Sequence, residues 1–289
     1  MAYNSPFDTL FDIFLEYNSS YLGYQGTLNG VLSDLSTLAS DGPTEGAYVW
    51  GLHPSRIITA VIDYKVKHPD VPETETLLPE AIDVALGIYS NPINSAEVVA
   101  KLKDRIRSLN LDDLLTSPLR QSIDRVTWRA LDPFKSENTV QRLIPQTRYD
   151  NLLFIALAHG GVAVGMDVYL RYCNAFKSKD SAFYVVRLST QKLKDKEPRL
   201  SAPEIDYLKE LAKGRRVVVF DEDISSGTTL KIARDYFSTK VFPSQKVMMF
   251  TNLDTSGKII GNMESNKPSF DHQIISSPLY PLIPNLKHL

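Results

Sequence analysis

Residues 217–230 read Val-Val-Val-Phe-Asp-Glu-Asp-Ile-Ser-Ser-Gly-Thr-Thr-Leu, and few folds accommodate that order. Val217 to Phe220 are four apolar residues of high strand propensity, the pattern of a strand buried on both faces of a parallel sheet. Asp221 and Glu222 follow at its carboxyl end, the edge of an open α/β sheet at which ligands bind. Ser225, Ser226, Gly227, Thr228 and Thr229 then form a short loop that opens a helix near Thr228. Its hydroxyls, with the free N–H groups and dipole of a helix start, make a cup suited to a phosphate monoester. The neighbouring carboxylates suit vicinal sugar hydroxyls or a divalent cation. An ordinary strand, turn and helix has no use for two adjacent carboxylates there, because carboxylates are costly to bury.

Two other nucleotide or phosphate chemistries use similar strands. Val219-Phe220-Asp221-Glu222 could end a Walker B strand, but that requires a glycine-rich loop closing on Gly-Lys-Ser/Thr. The nearest glycine pair to such a loop, Gly160 to Gly165, is followed by Met166, so the lysine is missing. Asp221-x-Asp223-x-Ser225 also has the spacing of a haloacid-dehalogenase-like nucleophile motif. That motif sits on the first strand of its domain, and too little chain follows here.

The pattern of apolar strand, acidic pair, two variable residues and Ser-Ser-Gly-Thr-Thr resembles the PRPP-binding motif of the type I phosphoribosyltransferases (PRPP, 5-phosphoribosyl 1-pyrophosphate). The resemblance implies that Asp221 and Glu222 hold the ribose hydroxyls and act catalytically with Ser225. It implies that Ser225, Ser226, Gly227, Thr228 and Thr229 cradle the 5′-phosphate. Asp223 departs from the pattern, where an apolar residue is usual. Ala158-His159-Gly160-Gly161-Val162 lies two strands earlier and looks like the pyrophosphate loop of the same family, with His159 where Arg or Lys often stands. Arg187, ending the next strand, is a further pyrophosphate contact. The polar run from Arg187 to Pro203 corresponds to a mobile lid, from which Lys192, Lys194, Lys196 and Arg199 could reach the pyrophosphate. The resemblance covers about Tyr149 to Asn252 and leaves the first 130 residues aside.

The rest of the chain agrees with an α/β fold of that kind. From Tyr149 strands and helices alternate: strands over Leu152–Ala158, Ala182–Arg187, Arg215–Phe220, Gln245–Thr251 and Asp271–Ser276, with helices over Val162–Asn174, Glu204–Lys213 and Thr228–Ser238 between them. Gly214 is placed to end the second of those helices. Such alternation implies right-handed βαβ units and a parallel, Rossmann-like sheet. Before it the chain reads as helical. Phe7, Leu10, Phe11, Phe14 and Leu15 make one apolar stripe, Leu28 to Leu38 repeats it, and Gly42-Pro43 stops it. Ala47 to Leu52 fits a short strand or a buried loop. Helices are predicted over Ser55–Lys67, Leu77–Tyr89, Ala96–Leu109 and Leu111–Leu131, punctuated by Pro69, Pro72 and Pro92. The expected organisation is a helical region over 1–135, serving as a hood or a partner-binding module, and a phosphoribosyltransferase-like α/β domain over 136–289.

Composition narrows the partners. Among 289 residues 43% are hydrophobic and 23% charged, and the formal net charge of −2 gives no reason to expect nucleic acid. No apolar run approaches the ~18–20 residues of a membrane span, and no signal peptide is visible at the start. The one cysteine, Cys173, excludes an internal disulfide and is expected to be buried. A reducing, cytoplasmic setting follows as the expectation, and a homodimer is compatible with it. His53, His68, His272 and His288 show no metal-ligand spacing.

The resemblance implies displacement of pyrophosphate from C1 of PRPP by a nitrogen nucleophile, with inversion and an oxocarbenium-like transition state. Mg2+ would be the cofactor, held indirectly through the ribose hydroxyls on Asp221 and Glu222. The partners would be PRPP and a small-molecule acceptor or nucleotide. Ser225 stands where members acting on 6-oxopurines place an aspartate, which disfavours hypoxanthine and guanine. A regulatory protein that binds PRPP without turnover would need the same motif.

Overall fold

The computed structural model describes residues 26–41, 53–91, 94–119, 130–148, 150–176, 180–191, 193–224, 226–254 and 274–276. The apolar stripe of Phe7 to Leu15, the Gly42-Pro43 stop and the Ala47–Leu52 segment lie outside them.

Among the described residues five strands form one sheet: β1 (Leu152–Ala158), β2 (Ala182–Arg187), β3 (Arg216–Ile224), β4 (Val247–Asp254) and β5 (Ile274–Ser276). All neighbouring pairs are parallel, in the order β2-β1-β3-β4-β5. Every residue of β1 is buried, as an all-apolar run between two layers of helix requires. The helices of this half are α6 (Pro133–Thr147), α7 (Gly160–Phe176), α8 (Ala202–Leu211) and α9 (Thr228–Tyr236), the last running into a π turn at Phe237–Val241. With right-handed crossovers, this strand order puts α7 on one face and α8 and α9 on the other. α7 lies close on the sheet: a Cβ on Gly165 would stand 3.0 Å from Ala156 Cβ and 3.3 Å from the rings of Phe154 and Phe220. The chain is therefore mixed α/β, built on an all-parallel, Rossmann-like sheet.

Ahead of the sheet lie α1 (Leu28–Asp41), α2 (Ser55–Lys67), α3 (Glu73–Ser90), α4 (Ser95–Ser108) and the short α5 (Asp112–Thr116). Glu73 and Glu75 in the first turn of α3 suit the positive end of its dipole, and the helix starts one turn before the apolar pattern does. These helices share one continuous apolar core with the sheet, from Leu28 to Leu253. A buried polar link reinforces it. Tyr89 on α3 donates to Asp167 on α7 at 3.1 Å, and Arg171 holds the same carboxylate at 3.0 Å. No helix among the described residues is long and apolar enough to cross a membrane.

Apart from shifts of a few residues at element ends, such as β4 running to Asp254 and α8 ending at Leu211 with Ala212 rather than Gly214 as its cap, three differences from the sequence reading bear on the fold. The helix expected over Leu111–Leu131 ends at Thr116. Ser117 precedes a proline and takes extended backbone (ψ 131°), as the proline ring demands, and Pro118 bridges back to Thr27. Helix α6 was not anticipated, although Asp132 caps it by accepting from Phe134 N–H at 2.9 Å and Pro133 opens it. It packs on α7 and β4, so the chain joins the sheet layers before residue 136. Finally, β3 does not end at Phe220 but runs to Ile224, because Asp221, Asp223 and Ile224 stay paired with Thr251, Leu253 and Asp254 of β4.

Candidate functional site

The sheet opens at its topological switch point. β1 stays paired with β2 through Ala158 and Arg187, but its pairing with β3 stops at Ala156 and Phe220. Beyond Phe220, β3 keeps only β4. The two strands that lead to β2 on one side and β4 on the other therefore part at their carboxyl ends, which is where open α/β sheets bind ligands. Both glycine-bearing motifs sit at this crevice.

On the β1 side, the Ala158–His159 peptide is cis and α7 begins at Gly160. On the β3 side stand Asp221 and Glu222, with the Glu222 N–H donating to Asp221 Oδ1 at 3.1 Å. The two sides touch. A Cβ on Gly160 would overlap the Glu222 carboxylate, and one on Gly161 would lie 3.2 Å from Phe220 O and 3.4 Å from Asp221 Cα. Side chains at these two positions would fill the crevice, which is the physical need for glycine. Burial, helped by the adjacent Glu222 and Asp223 carboxylates, pushes the Asp221 carboxyl well above its usual range. A carboxylate so placed gains most from hydroxyl donors or a cation.

Gly227 takes the left-handed conformation (φ 72°, ψ 2°) and turns the chain from β3 into α9. Ser226 Oγ lies 2.9 Å from Thr228 Oγ1 and accepts from Thr228 N–H at 3.3 Å. Ser226 and Thr228 are exposed and Thr229 half-buried, so the loop presents hydroxyls around a helix start whose first N–H groups have no partner within the helix. Ser225 lies outside the described residues, as does Lys192.

The segment after β2 is folded onto this loop. Thr190 Oγ1 is 2.8 Å from Thr229 Oγ1. Asp195 organises the segment, accepting from Ser189 N–H at 2.8 Å and from Arg199 Nη2 at 2.7 Å. Arg199 N–H closes it by donating to Arg187 O at 2.9 Å, and Lys240 pairs with Glu197. Lys194 and Lys196 are exposed. Asp195→Ala should release this segment, so limited proteolysis within 189–202 is expected to quicken severalfold. Cleavage at the wild-type rate would remove Asp195 as its anchor.

Arg187 is buried at the end of β2, and its Nη1 donates to Ala158 O at 2.8 Å. The same nitrogen is 2.8 Å from His159 Nδ1, while His159 Nε2 is 2.6 Å from Asp63 Oδ1 on α2. Asp63 had no motif to mark it; a lone acid between Ile62 and Tyr64 on an amphipathic helix was the sole signal. Beside Arg187 a cleft of about 260 Å³ is lined by Ile62, Lys65, Leu78, Val185, Arg199 and Glu204, among others.

The other reactive groups stay apart from the crevice. Cys173 is half-buried rather than buried, on α7, with its thiol pushed to about 11 by burial. His53 is buried against Ser55, and burial pushes it down to about 3. Among the described residues no three His, Cys, Asp or Glu side chains are grouped to hold a metal ion. Comparison with protein-family models, with curated proteins and with solved structures finds no match.

Proposed function

We propose that the chain is a phosphoribosyltransferase of the type I kind, transferring the 5-phosphoribosyl group of PRPP to a nitrogen nucleophile. One observation carries the reading. The glycine loop after β1 and the Asp221-Glu222 pair of β3 meet at the switch point so closely that a Cβ on Gly160 would take the place of the Glu222 carboxylate. A hydroxyl-lined helix start lies at the other end of the acidic segment. That spacing offers one subsite to each part of PRPP. The Gly227 loop takes the 5′-phosphate, Asp221 and Glu222 accept from the ribose hydroxyls, and Gly160, Gly161 and His159 face the pyrophosphate, with Arg187 buried behind them and held on Ala158 O and His159.

In the reaction the C1–O bond to pyrophosphate breaks, the leaving group takes the electron pair, and the nucleophile's nitrogen bonds C1 from the opposite face. The protein's share is positioning and electrostatic stabilisation. Mg2+ suits the donor set as an ion arriving with PRPP, neutralising pyrophosphate and touching Asp221 and Glu222 through the ribose hydroxyls. The cleft beside Arg187 offers apolar walls to a small acceptor.

A second reading, a regulatory protein that binds PRPP without turnover, is favoured by how the arginines are used. Arg187 is buried and engaged with Ala158 O and His159, and Arg199 is held by Asp195, so both guanidinium groups are already committed to acceptors of the protein itself. Pyrophosphate release from PRPP–Mg2+, measured over purines, pyrimidines and nicotinate-like acids, separates the two. The transferase reading expects release with at least one acceptor outside the 6-oxopurines. Tight PRPP binding with no release from any acceptor would replace it with the regulatory one.

A further inference from the structure

The helical region touches the β1 loop through a specific polar chain. Asp63 of α2, His159 of the loop and Arg187 of β2 are separated by 96 and 28 residues in sequence, yet they stand in line at 2.6 and 2.8 Å. Their hydrogen-bond roles follow from chemistry. A guanidinium only donates, so His159 Nδ1 accepts from Arg187. The ring proton is then on Nε2, which donates to the Asp63 carboxylate. The same Arg187 nitrogen donates to Ala158 O at 2.8 Å, so the guanidinium is fixed against both the carbonyl and the side chain of the cis peptide unit. Asp63 and His159 are each about a quarter exposed, at 25% and 24%, whereas Arg187 is 5% exposed. The chain thus runs from the crevice edge into the interior.

We propose that Asp63 is a positioning residue of the pyrophosphate subsite. By accepting from Nε2–H it holds the imidazole in the tautomer whose Nδ1 receives Arg187. It thereby keeps the guanidinium and the Gly160-Gly161 turn in register with the Asp221-Glu222 pair. The role rests on the phosphoribosyltransferase reading, and it makes the helical region a part of the site rather than an attachment to it.

Calorimetry on the full chain tests this with two ligands, PRPP–Mg2+ and a nucleoside 5′-monophosphate, which lacks the pyrophosphate. Asp63→Ala is expected to weaken PRPP–Mg2+ about tenfold, the lower end of what supporting hydrogen bonds contribute around a binding group. The monophosphate should be held within about twofold of wild type. Asp63→Asn keeps an acceptor for Nε2–H and should restore PRPP affinity to within about threefold; it also serves if the alanine variant folds poorly. Equal weakening of both ligands would mean a merely structural contact and would overturn the proposal. So would an asparagine variant as weak as the alanine one, because charge rather than tautomer would then be at work. Wild-type affinity for PRPP in Asp63→Ala overturns the positioning role alone. Absence of PRPP binding in the wild type removes the phosphoribosyltransferase reading, and this role with it.

Discussion

Asp221→Asn combined with Glu222→Gln is expected to lower affinity for PRPP–Mg2+ by at least about a hundredfold while leaving the fold intact. Two charge-assisted hydrogen bonds to ribose hydroxyls are lost, at about 1.5–3 kcal/mol each, and about 1.4 kcal/mol is tenfold. The fold survives because Phe220 and the residues before it, not the carboxylates, fill the core. The single change Asp221→Asn carries a pH signature of its own. Asp221 is half-buried, and this partial burial, with the Glu222 and Asp223 carboxylates beside it, raises its pKa above the usual 3.8. The folded protein thus keeps that proton to a higher pH than the unfolded chain does. The stability this contributes is fully present below about 3.8 and is lost as pH rises through the raised folded value. Asparagine is never charged, so Asp221→Asn should melt above wild type at neutral pH, with the gap closing on acidification. On the proposed assignment the ribose hydroxyls donate to the ionised carboxylate, so wild-type PRPP affinity should rise with pH over the same window. Undiminished affinity in the double variant, measured by calorimetry, would remove the ribose assignment. A melting difference that does not change with pH would place the Asp221 carboxyl outside a low-dielectric setting.

The sheet was largely legible because its signal is local. Leu152–Ala158 and Ala182–Arg187 are apolar runs bounded by turns, and they form β1 and β2 residue for residue. β3 was read short because the switch from Phe220 to Asp221 marks a change in what the side chains do. Backbone pairing with β4 continues regardless of side-chain polarity. Helix α6 is masked in the sequence for a related reason. Its inward face includes Ser136, Thr139 and Thr147 as well as Val140 and Leu143, which blurs the apolar period. Thr147 is satisfied locally by the Leu143 carbonyl and by Tyr172 at 2.9 Å. The capping pair Asp132-Pro133 was the clearer sign. Pro118 likewise outweighed the leucines around it.

The site divides in the same way. Asp221, Glu222, Gly227 and the threonines belong to one continuous stretch, so type and spacing alone bring them to one crevice. That the Gly160-Gly161 turn faces them depends on β1 lying next to β3, a matter of strand order that no local pattern encodes. Asp63 lies further still from sequence reasoning. Its partner is 96 residues away, and its helix would look the same if the acid faced water. The segment from Ser189 to Arg199 reads as a polar loop because its order comes from one carboxylate, Asp195, that gathers backbone and side-chain donors.

Gly227→Val is expected to abolish binding of every ligand that carries a 5′-phosphate, PRPP–Mg2+ and nucleoside 5′-monophosphates alike. Gly227 sits at φ 72° and ψ 2°, a region that costs an L-residue about 1–2 kcal/mol and a β-branched one more. The turn would relax toward negative φ, swinging Ser226 and Thr228 apart and tilting the first N–H groups of α9 away from their common focus. A modest fall in melting temperature should accompany the change. Gly160→Ala makes the contrast that gives this result its meaning. The added Cβ would meet the far end of the Glu222 side chain, which can rotate away, so stability should barely change. PRPP–Mg2+ should still weaken, because Glu222 would leave the position at which it is proposed to accept from the ribose. Inorganic phosphate, which on this proposal needs only the Gly227 loop, should bind Gly160→Ala as it binds wild type and should fail to bind Gly227→Val. If Gly227→Val kept its affinity for a nucleoside monophosphate, the phosphate would have to lie elsewhere, and the β1 glycine turn, with its own helix start at Gly160, would be the place to look.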